Sequence, residues 1–360
     1  MLFKNGILGF IPEQDWLTVG FNVTRPNDPI DGLFGDERTD NLVAYWQSIA
    51  AEYQIPVMAQ FHGFDTEAQK TFRVPVDTHN IEKGLIKVKQ NQSERLRELT
   101  RSGVQGDQNI YDYVMNDGLR LADQVVTRTK VAKNELLATG KVTIKENDLD
   151  LTVDYGVPNA HLSLTLDFGA GAQSDIPTQL QKIVDDAANE GVTITGMVLS
   201  RATLTKLRQN EAIQKAINGA IGAGALVRRS ALEAYLSEEY GINTIITNDL
   251  TYATANGFDA TGRPLVTQHR YFPHDKVSFF GVNTGGRIGT GLWGNPPELD
   301  AANGFSGGVA ASTASPYVYI SQWTETDPAV LWTKASALFM PVLYNPNALL
   351  VASVIETPGA

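Results

Sequence analysis

From Asp107 to Thr139 the chain carries an unbroken helical pattern of roughly thirty residues, and no other feature constrains its fold as strongly. Apolar side chains recur at Tyr111, Val114, Met115, Leu119, Ala122, Val125, Val126, Ala132, Leu136 and Leu137, the three-and-four spacing of one helix face. Asp117, Arg120, Asp123, Lys130, Lys133 and Glu135 fall on the other face, which the pattern leaves for water to cover. Gly140 stands where a left-handed C-terminal cap is wanted, and the strand-like Val142-Thr-Ile144 follows at once. Helices in compact domains average about 11–12 residues, so this one reads as a strut.

At 360 residues the chain is long enough for a sizeable core in one large domain or two to three smaller ones. A hydrophobic share of 42% with 19% charged residues is that of an ordinary globular protein. It has no cysteine, which removes disulfides, thiolate nucleophiles and cysteine-ligated metals from consideration and fits cytosolic synthesis and assembly. The apolar start, Met1 to Pro12, is interrupted by glycine and followed by Glu13 and Asp15, which does not match a secretory signal. No stretch approaches the ~20 apolar residues of a membrane span, so no membrane partner is expected. A net charge of −11 argues against a broad phosphate-gripping surface, although Arg228-Arg229 and the 82–101 region are locally basic.

Along the chain, residues 1–52 read as an extended arm with a short helix near Thr39–Tyr53. Val57–Phe61 and Phe72–Val76 read as strands flanking a polar turn at Gly63–Lys70, followed by a strand at Leu85–Val88. Such a hairpin has little core of its own and should lie on something else. A second hairpin is expected over Lys141–Ile144 and Leu149–Tyr155. The pattern then alternates: a strand at His161–Phe168, a helix at Asp175–Asn189 stopped by Gly191, a buried strand at Val192–Leu199, and one helix over Arg201–Asn218. Residues 230–250 give a helix and the strand Asn243–Thr247. Gly257 to Ser315, rich in glycine, asparagine and proline, reads as loop, and Leu338–Leu343 with Leu349–Ile355 as apolar strands returning to a core.

No catalytic constellation emerges. Gly304-Phe-Ser306-Gly-Gly308 matches the nucleophile elbow of hydrolases, but its flanks are neither strand nor helix. The last histidine, His274, precedes Ser306, so the required order of serine, acid and histidine cannot occur. The five histidines lack metal-site spacing, and the glycine clusters at 219–224 and 285–291 lack the strand–turn–helix setting of a dinucleotide site. The expectation is no enzyme, no metal and no cofactor. An arm, a projecting hairpin and a strut together present more surface than one core covers, and bare strand edges invite a second chain.

The order of these elements resembles the tailed-phage major capsid protein E family, the lambda type with the Hong Kong 97-like capsid fold. The resemblance rests on Glu135-Leu-Leu-Ala-Thr-Gly-Lys141 ending the long helix, on Leu151-Thr-Val-Asp-Tyr155-Gly closing the hairpin, and on Asp175-Ile-Pro177 opening the next helix. Asp327-Pro328 and the run from Leu338-Phe-Met-Pro-Val342 to Asn345-Pro346 complete it. It implies an α+β subunit with an N-terminal arm at 1–52 and an extended β-hairpin loop at 53–90. A peripheral domain follows at 91–159 with the spine helix at about 107–139, then an axial domain at 160–322 and a C-terminal segment at 323–360 returning to the peripheral domain.

The resemblance further implies pentamers and hexamers closing into an icosahedral head shell around double-stranded DNA, with expansion of the procapsid on packaging. A scaffold protein, a portal and a decoration protein would be the partners, the virion the location, and the host cytoplasm the place of assembly. Contacts between subunits would fall at Phe61, Lys70, Phe72, Arg73, Arg128, Glu135, Gly140 and Lys141. Lys70 is the candidate for a covalent crosslink between subunits, a role its polar turn does not require. The alternatives are a tail or baseplate protein of a phage, or a serine hydrolase using Ser306.

Overall fold

The computed structural model describes residues 28–48, 58–59, 61, 64, 73, 77–92, 106–146, 149–169, 175–219, 224–259, 263–282, 285–298, 310–314 and 317–356. In chain order these form β1 (Phe34–Arg38), β2 (Val43–Ser48), β3 (Asp77–Glu82), β4 (Gly84–Gln92), α1 (Gly106–Thr139), β5 (Lys141–Glu146) and β6 (Leu149–Asp154). Then come α2 (Asn159–Leu162), β7 (Leu164–Asp167), α3 (Ile176–Asn189), β8 (Gly196–Leu199), α4 (Arg201–Gln209), α5 (Glu211–Asn218), α6 (Arg229–Tyr240) and β9 (Thr244–Thr247). The chain closes with β10 (Thr251–Phe258), β11 (Pro264–Arg270), β12 (Lys276–Phe280), β13 (Gly289–Gly294), β14 (Ala310–Ala314), β15 (Val318–Thr326), β16 (Ala329–Leu343) and β17 (Leu349–Ile355).

Two sheets and three ribbons organise these strands. The first sheet runs β1-β13-β16-β15-β14, with β4 also paired to the long β16. The second runs β7-β17-β12-β8-β9, and the pairs β2–β3, β5–β6 and β10–β11 stand as two-stranded ribbons. The strut helix α1 lies on the first sheet. Its Leu121, Val125, Leu136 and Leu137 share one core with Leu331, Ala335, Ala337 and Phe339, which recur at even spacing along β16. Each fully buried leucine there contributes roughly 1.5–3 kcal/mol by leaving water.

The second sheet is buried on both faces, which explains its nearly continuous apolar strands. Met197, Leu199, Phe279, Leu350 and Ala352 face a core built with Ile176, Leu180, Ile183 and Ala187 of α3 and Leu232 and Leu236 of α6. The intervening Val198, Phe280, Leu349 and Val351 belong to the core of α1. Ser278 lies on that side too, and its hydroxyl donates to the Leu137 carbonyl at 2.6 Å, satisfying an orphan acceptor in the last turn of α1. One sheet therefore joins the two cores.

Several expectations hold: α1 ends at Thr139, β5 and β6 form the second hairpin, and Asp175 caps α3 by accepting from the Thr178 amide at 3.2 Å. Others are corrected. Val43–Ser48 is a strand, because Ala44 and Trp46 are buried while Tyr45 is exposed, a period of two that pairing with Asp77–Glu82 satisfies. The helix expected over Arg201–Asn218 is two helices, since Asn210 takes an extended conformation and its side chain accepts from the Ile213 amide at 3.2 Å, capping α5. His161–Phe168 is not one strand: the short helix α2 precedes β7. Residues 257–315 are not merely loop, for β11, β12, β13 and β14 lie wholly within them. The expected strand at Val57–Phe61 is absent at Met58, Ala59 and Phe61, and the rest of that hairpin falls outside the described residues apart from Phe64 and Arg73.

Two boundaries also move. Residues 84–92 are a strand of the first sheet rather than the end of a projecting loop, because β4 pairs with Leu331–Phe339 of β16. The last strand, β17, lies in the second sheet between β7 and β12, so 323–360 is divided between both sheets.

Candidate assembly surface

Four of the residues expected at subunit contacts meet at one junction, where α1 turns into the β5–β6 ribbon. Gly140 takes a φ of +70°, and its amide donates to the Leu136 carbonyl at 2.8 Å, closing the helix as a left-handed cap. A Cβ there would meet Leu162 and Val157 at 3.1 Å. From the last turns of α1, the Glu135 carboxylate accepts from the Thr143 amide at 2.9 Å and Arg128 pairs with Glu146 at 3.1 Å. Lys141 pairs with Asp154 across the ribbon at 2.7 Å. Partial burial pushes the Asp154 carboxyl up, but the Lys141 ammonium and the Gly156 amide outweigh it and hold the group below its usual value. These side chains thus brace the ribbon on its own helix. Of the others, Phe61 and Arg73 are exposed, and Lys70, Phe72 and Ser306 lie outside the described residues.

Part of the polar face of α1 is not left to water, although Arg120 and Asp123 are exposed. Lys133, 3% exposed, reaches Asp36 at 3.1 Å and Asp31 at 3.4 Å, while Lys130 lies 3.6 Å from Asp31. Asn134 donates to Asp28 at 2.9 Å, and Asn248, at the end of β9, donates to Asp28 at 3.1 Å and to the Asn134 oxygen at 2.9 Å. The strap from Asp28 to Arg38 therefore lies across the helix at Lys130 and Lys133, while Gln90 of β4 reaches Asp117 at 3.4 Å, and the expectation that these three face solvent is corrected: all three are buried. Burial pushes the Asp28 carboxyl above its ordinary value against the Ile30 amide, Asn134 and Lys130. Burial likewise pushes Asp117 up, with Arg120 opposing.

The base of the β2–β3 ribbon is fixed in the same body. Trp46 stacks on His79 at 5.1 Å and on Tyr155 at 5.6 Å, and the Tyr155 hydroxyl donates to the Pro341 carbonyl at 2.6 Å. Buried Lys83, between β3 and β4, donates to the carbonyls of Asn41 at 2.7 Å, Thr39 at 2.9 Å and Trp293 at 3.2 Å. Its burial pushes the ammonium below the ordinary lysine value, although Asp40 opposes the shift.

Beside this base lies an apolar groove of about 560 Å³. One wall is the ribbon face formed by Val142, Ile144, Leu149 and Leu151; Ala132 of α1, Ile86 of β4 and Met340 of β16 line the rest. Leu42, Leu85, Leu149 and Leu151 remain 38–60% exposed around it. Further large apolar side chains stand in water at Met58, Phe61 and Phe64, and at Leu265 and Val266 on the β10–β11 ribbon. Sequence reading missed this groove and Lys83. The alternation Leu149-Asp-Leu151 beside Val142-Thr-Ile144 was a signal for one ribbon face, whereas nothing local announced that β4 would lie opposite.

Among the described residues no group of three or more His, Asp or Glu is placed to hold a metal ion. His161 is buried and pairs with Glu190 at 2.7 Å, and His269 contacts the Thr254 hydroxyl at 2.9 Å. Both contacts are structural.

Comparison with known proteins follows the same line. No curated protein matches the chain in sequence. Among solved structures, the putative capsid protein of a prophage of E. coli CFT073 superposes with a TM-score of 0.55 at 11% identity, covering 96% of this chain and 99% of that one. A phage-related protein from Bordetella bronchiseptica RB50 superposes with a TM-score of 0.53 at 13% identity, covering 95% of this chain and 97% of its own. The sequence profile described as phage major capsid protein E matches residues 64–354. The chain belongs to the phage major capsid protein E family and is a head-shell protein with the Hong Kong 97-like fold.

Proposed function

We propose that the chain builds its shell as pentamers and hexamers that close into an icosahedral head around double-stranded DNA, and that it performs no catalysis. The observation that carries this reading is the contrast between two closed cores and the apolar side chains that the ribbons leave in water, Leu149 and Leu151 on β5–β6 and Leu265 and Val266 on β10–β11. An isolated two-stranded ribbon is marginal in water, and exposed apolar clusters of this kind normally meet another chain. In a shell the other chain is a second copy. A net charge of −11 suits a container for DNA, since a wall that held phosphates tightly would hinder packing and ejection.

In this reading residues 1–52 form the arm, and the segment carried by the β2–β3 ribbon is the extended loop that lies across a neighbour, with Phe61, Lys70, Phe72 and Arg73 at its contacts. The α1 body is peripheral, with Arg128, Glu135, Gly140 and Lys141 setting the angle of the β5–β6 ribbon towards the next subunit. The second sheet with α3–α6 is axial and meets the symmetry axes. Scaffold, portal and decoration proteins are the partners, assembly takes place in the host cytoplasm, and the virion is the destination. Procapsid expansion would be a shift between two packings of the ribbons and arm.

The test is to express the chain with its scaffold and follow it by sedimentation: shells or capsomers are expected far above the 39.2 kDa subunit. Deleting residues 63–70 should leave the subunit folded while shells fail to form. Loss of folded protein on that deletion would instead assign the segment to the subunit core.

A further inference from the structure

One helix of the α3–α6 core carries its charges the wrong way round. The amino end of a helix is the positive end of its dipole and the carboxyl end the negative one, so acids suit the first turn and bases the last. Helix α5 agrees, with Glu211 in its first turn and Lys215 in its last, and α4 places Lys206 and Arg208 in its last turn. In α6 the order is reversed. Arg228 and Arg229 stand at its amino end, while Glu238 and Glu239 lie in its last turn. All four side chains are exposed. Arg229 reaches Glu233 at 2.6 Å, whereas Arg228, Glu238 and Glu239 have no oppositely charged partner among the described residues.

Packing within the subunit does not require this reversal. Leu232, Leu236 and Tyr240 are the side chains that α6 buries, and the charged ends lie off that face. The helix is held rigidly at its acidic end, where the Tyr240 hydroxyl donates to the Pro177 carbonyl of α3 at 3.2 Å. Within one subunit the two ends cannot neutralise each other, because eleven residues of helix hold them about 16 Å apart. Opposite charges at the two ends of one rod complement each other only when a second rod follows head to tail. Such a heterologous contact, repeated with a rotation that closes, builds a ring. Charges of this kind steer the encounter and fix its register, while apolar area adds affinity. Leu226, 57% exposed and two residues before Arg228, offers such area at the basic end.

We propose that α6 forms a head-to-tail contact between copies of this chain, in which the Arg228–Arg229 end of one subunit meets the Glu238–Glu239 end of the next around a symmetry axis. The proposal rests on the reading of the chain as a ring-forming shell subunit, and adds to it a surface and a direction. The isolated subunit carries charges that oppose its helix dipole, and the ring neutralises them.

The absence of native cysteine makes the contact readable. Arg228→Cys is combined with Glu238→Cys or with Glu239→Cys in the full chain, assembled with scaffold and oxidised. A disulfide needs Cα atoms within about 7 Å, so the two cysteines of one chain cannot bridge and every link joins two copies. The expected product is a ladder of covalent oligomers reaching pentamer and hexamer on a denaturing gel, with no dimer from any single-cysteine variant. Dimers from a single-cysteine variant, or assembled particles that yield no link, would overturn the head-to-tail contact. Failure of the unmodified chain to assemble would overturn the shell reading itself, and this contact with it. Charge exchange provides the independent measurement. Arg228→Glu, and separately Glu238→Arg with Glu239→Arg, should each cut the yield of shells at least tenfold, and the three changes together should restore it. Because each change agrees with the helix dipole, each variant subunit should melt at the temperature of the unmodified chain or above it. Unchanged yield, or no recovery in the combined variant, contradicts the proposal. A fall in melting temperature that tracks the lost yield would assign these charges to the fold of the subunit instead.

Discussion

The core beneath α1 and the core beneath α3–α6 share the second sheet, yet they are closed by different means. The α3–α6 core is assembled from side chains at helical and strand spacing; Ser200 and Asn210 cap their own helices, and the longer polar links are the Thr203 hydroxyl to the His274 carbonyl at 3.0 Å and His161 to Glu190 at 2.7 Å, with no buried lysine among them. The α1 core is closed by charges from distant parts of the chain. Lys133 meets Asp31 and Asp36 about a hundred positions away, and Lys83 collects carbonyls from Thr39, Asn41 and Trp293. Local periodicity can build the first kind of core. The second kind must bring strap, helix and sheet into register before its buried charges are satisfied, so those charges fix one arrangement of the chain more than they add stability.

That comparison can be broken or sharpened by substitution. Phe279→Ala, in the α3–α6 core, should cost about 3–5 kcal/mol. Lys133→Met should cost roughly 2–3 kcal/mol, less than a fully buried broken pair, because Asp31 and Asp36 are about a third exposed and water can relieve them. Since the second sheet is buried in both cores, calorimetry should show both variants lowering one common transition. Two transitions that move separately would mean the cores are not coupled. Gly140→Ala should cost about 2 kcal/mol, through the left-handed φ and the contact with Val157 and Leu162.

The helix itself was legible, because its apolar face and Gly140 are local signals that the tertiary structure agrees with. So were the β5–β6 ribbon and the Asp175 cap. What sequence could not show is what covers a polar face: Lys130 and Lys133 look like solvent-facing lysines until the strap is placed over them. Val43–Ser48 likewise becomes a strand only because Asp77–Glu82, some thirty positions on, supplies the partner. The break at Asn210 was readable in principle, since asparagine before Glu211 is a helix-start signal. Of the expected contact residues, Arg128, Glu135, Gly140 and Lys141 come together at one junction, but as internal braces, which their spacing did not disclose.

The smallest expected effect is at that junction. Lys141→Ala should cost under about 1 kcal/mol at neutral pH, because both partners are substantially exposed. Its sign with pH is fixed by Asp154, whose carboxyl is held below its usual value. The stability it contributes is present above the ordinary carboxylate range and is lost as pH falls through the lowered value. The difference between Lys141→Ala and the unmodified chain in denaturant midpoint should therefore shrink to nothing as acid protonates Asp154.

The central claim is that the subunit is complete in its cores and incomplete at its ribbons. Negative-stain microscopy of the full chain expressed with its scaffold tests it most directly. The account predicts closed shells, lost when Leu265 and Val266 of the β10–β11 ribbon are both changed to aspartate while the subunit stays folded. A chain that remains a 39.2 kDa monomer with scaffold present, or shells that form unchanged with both aspartates, would contradict it.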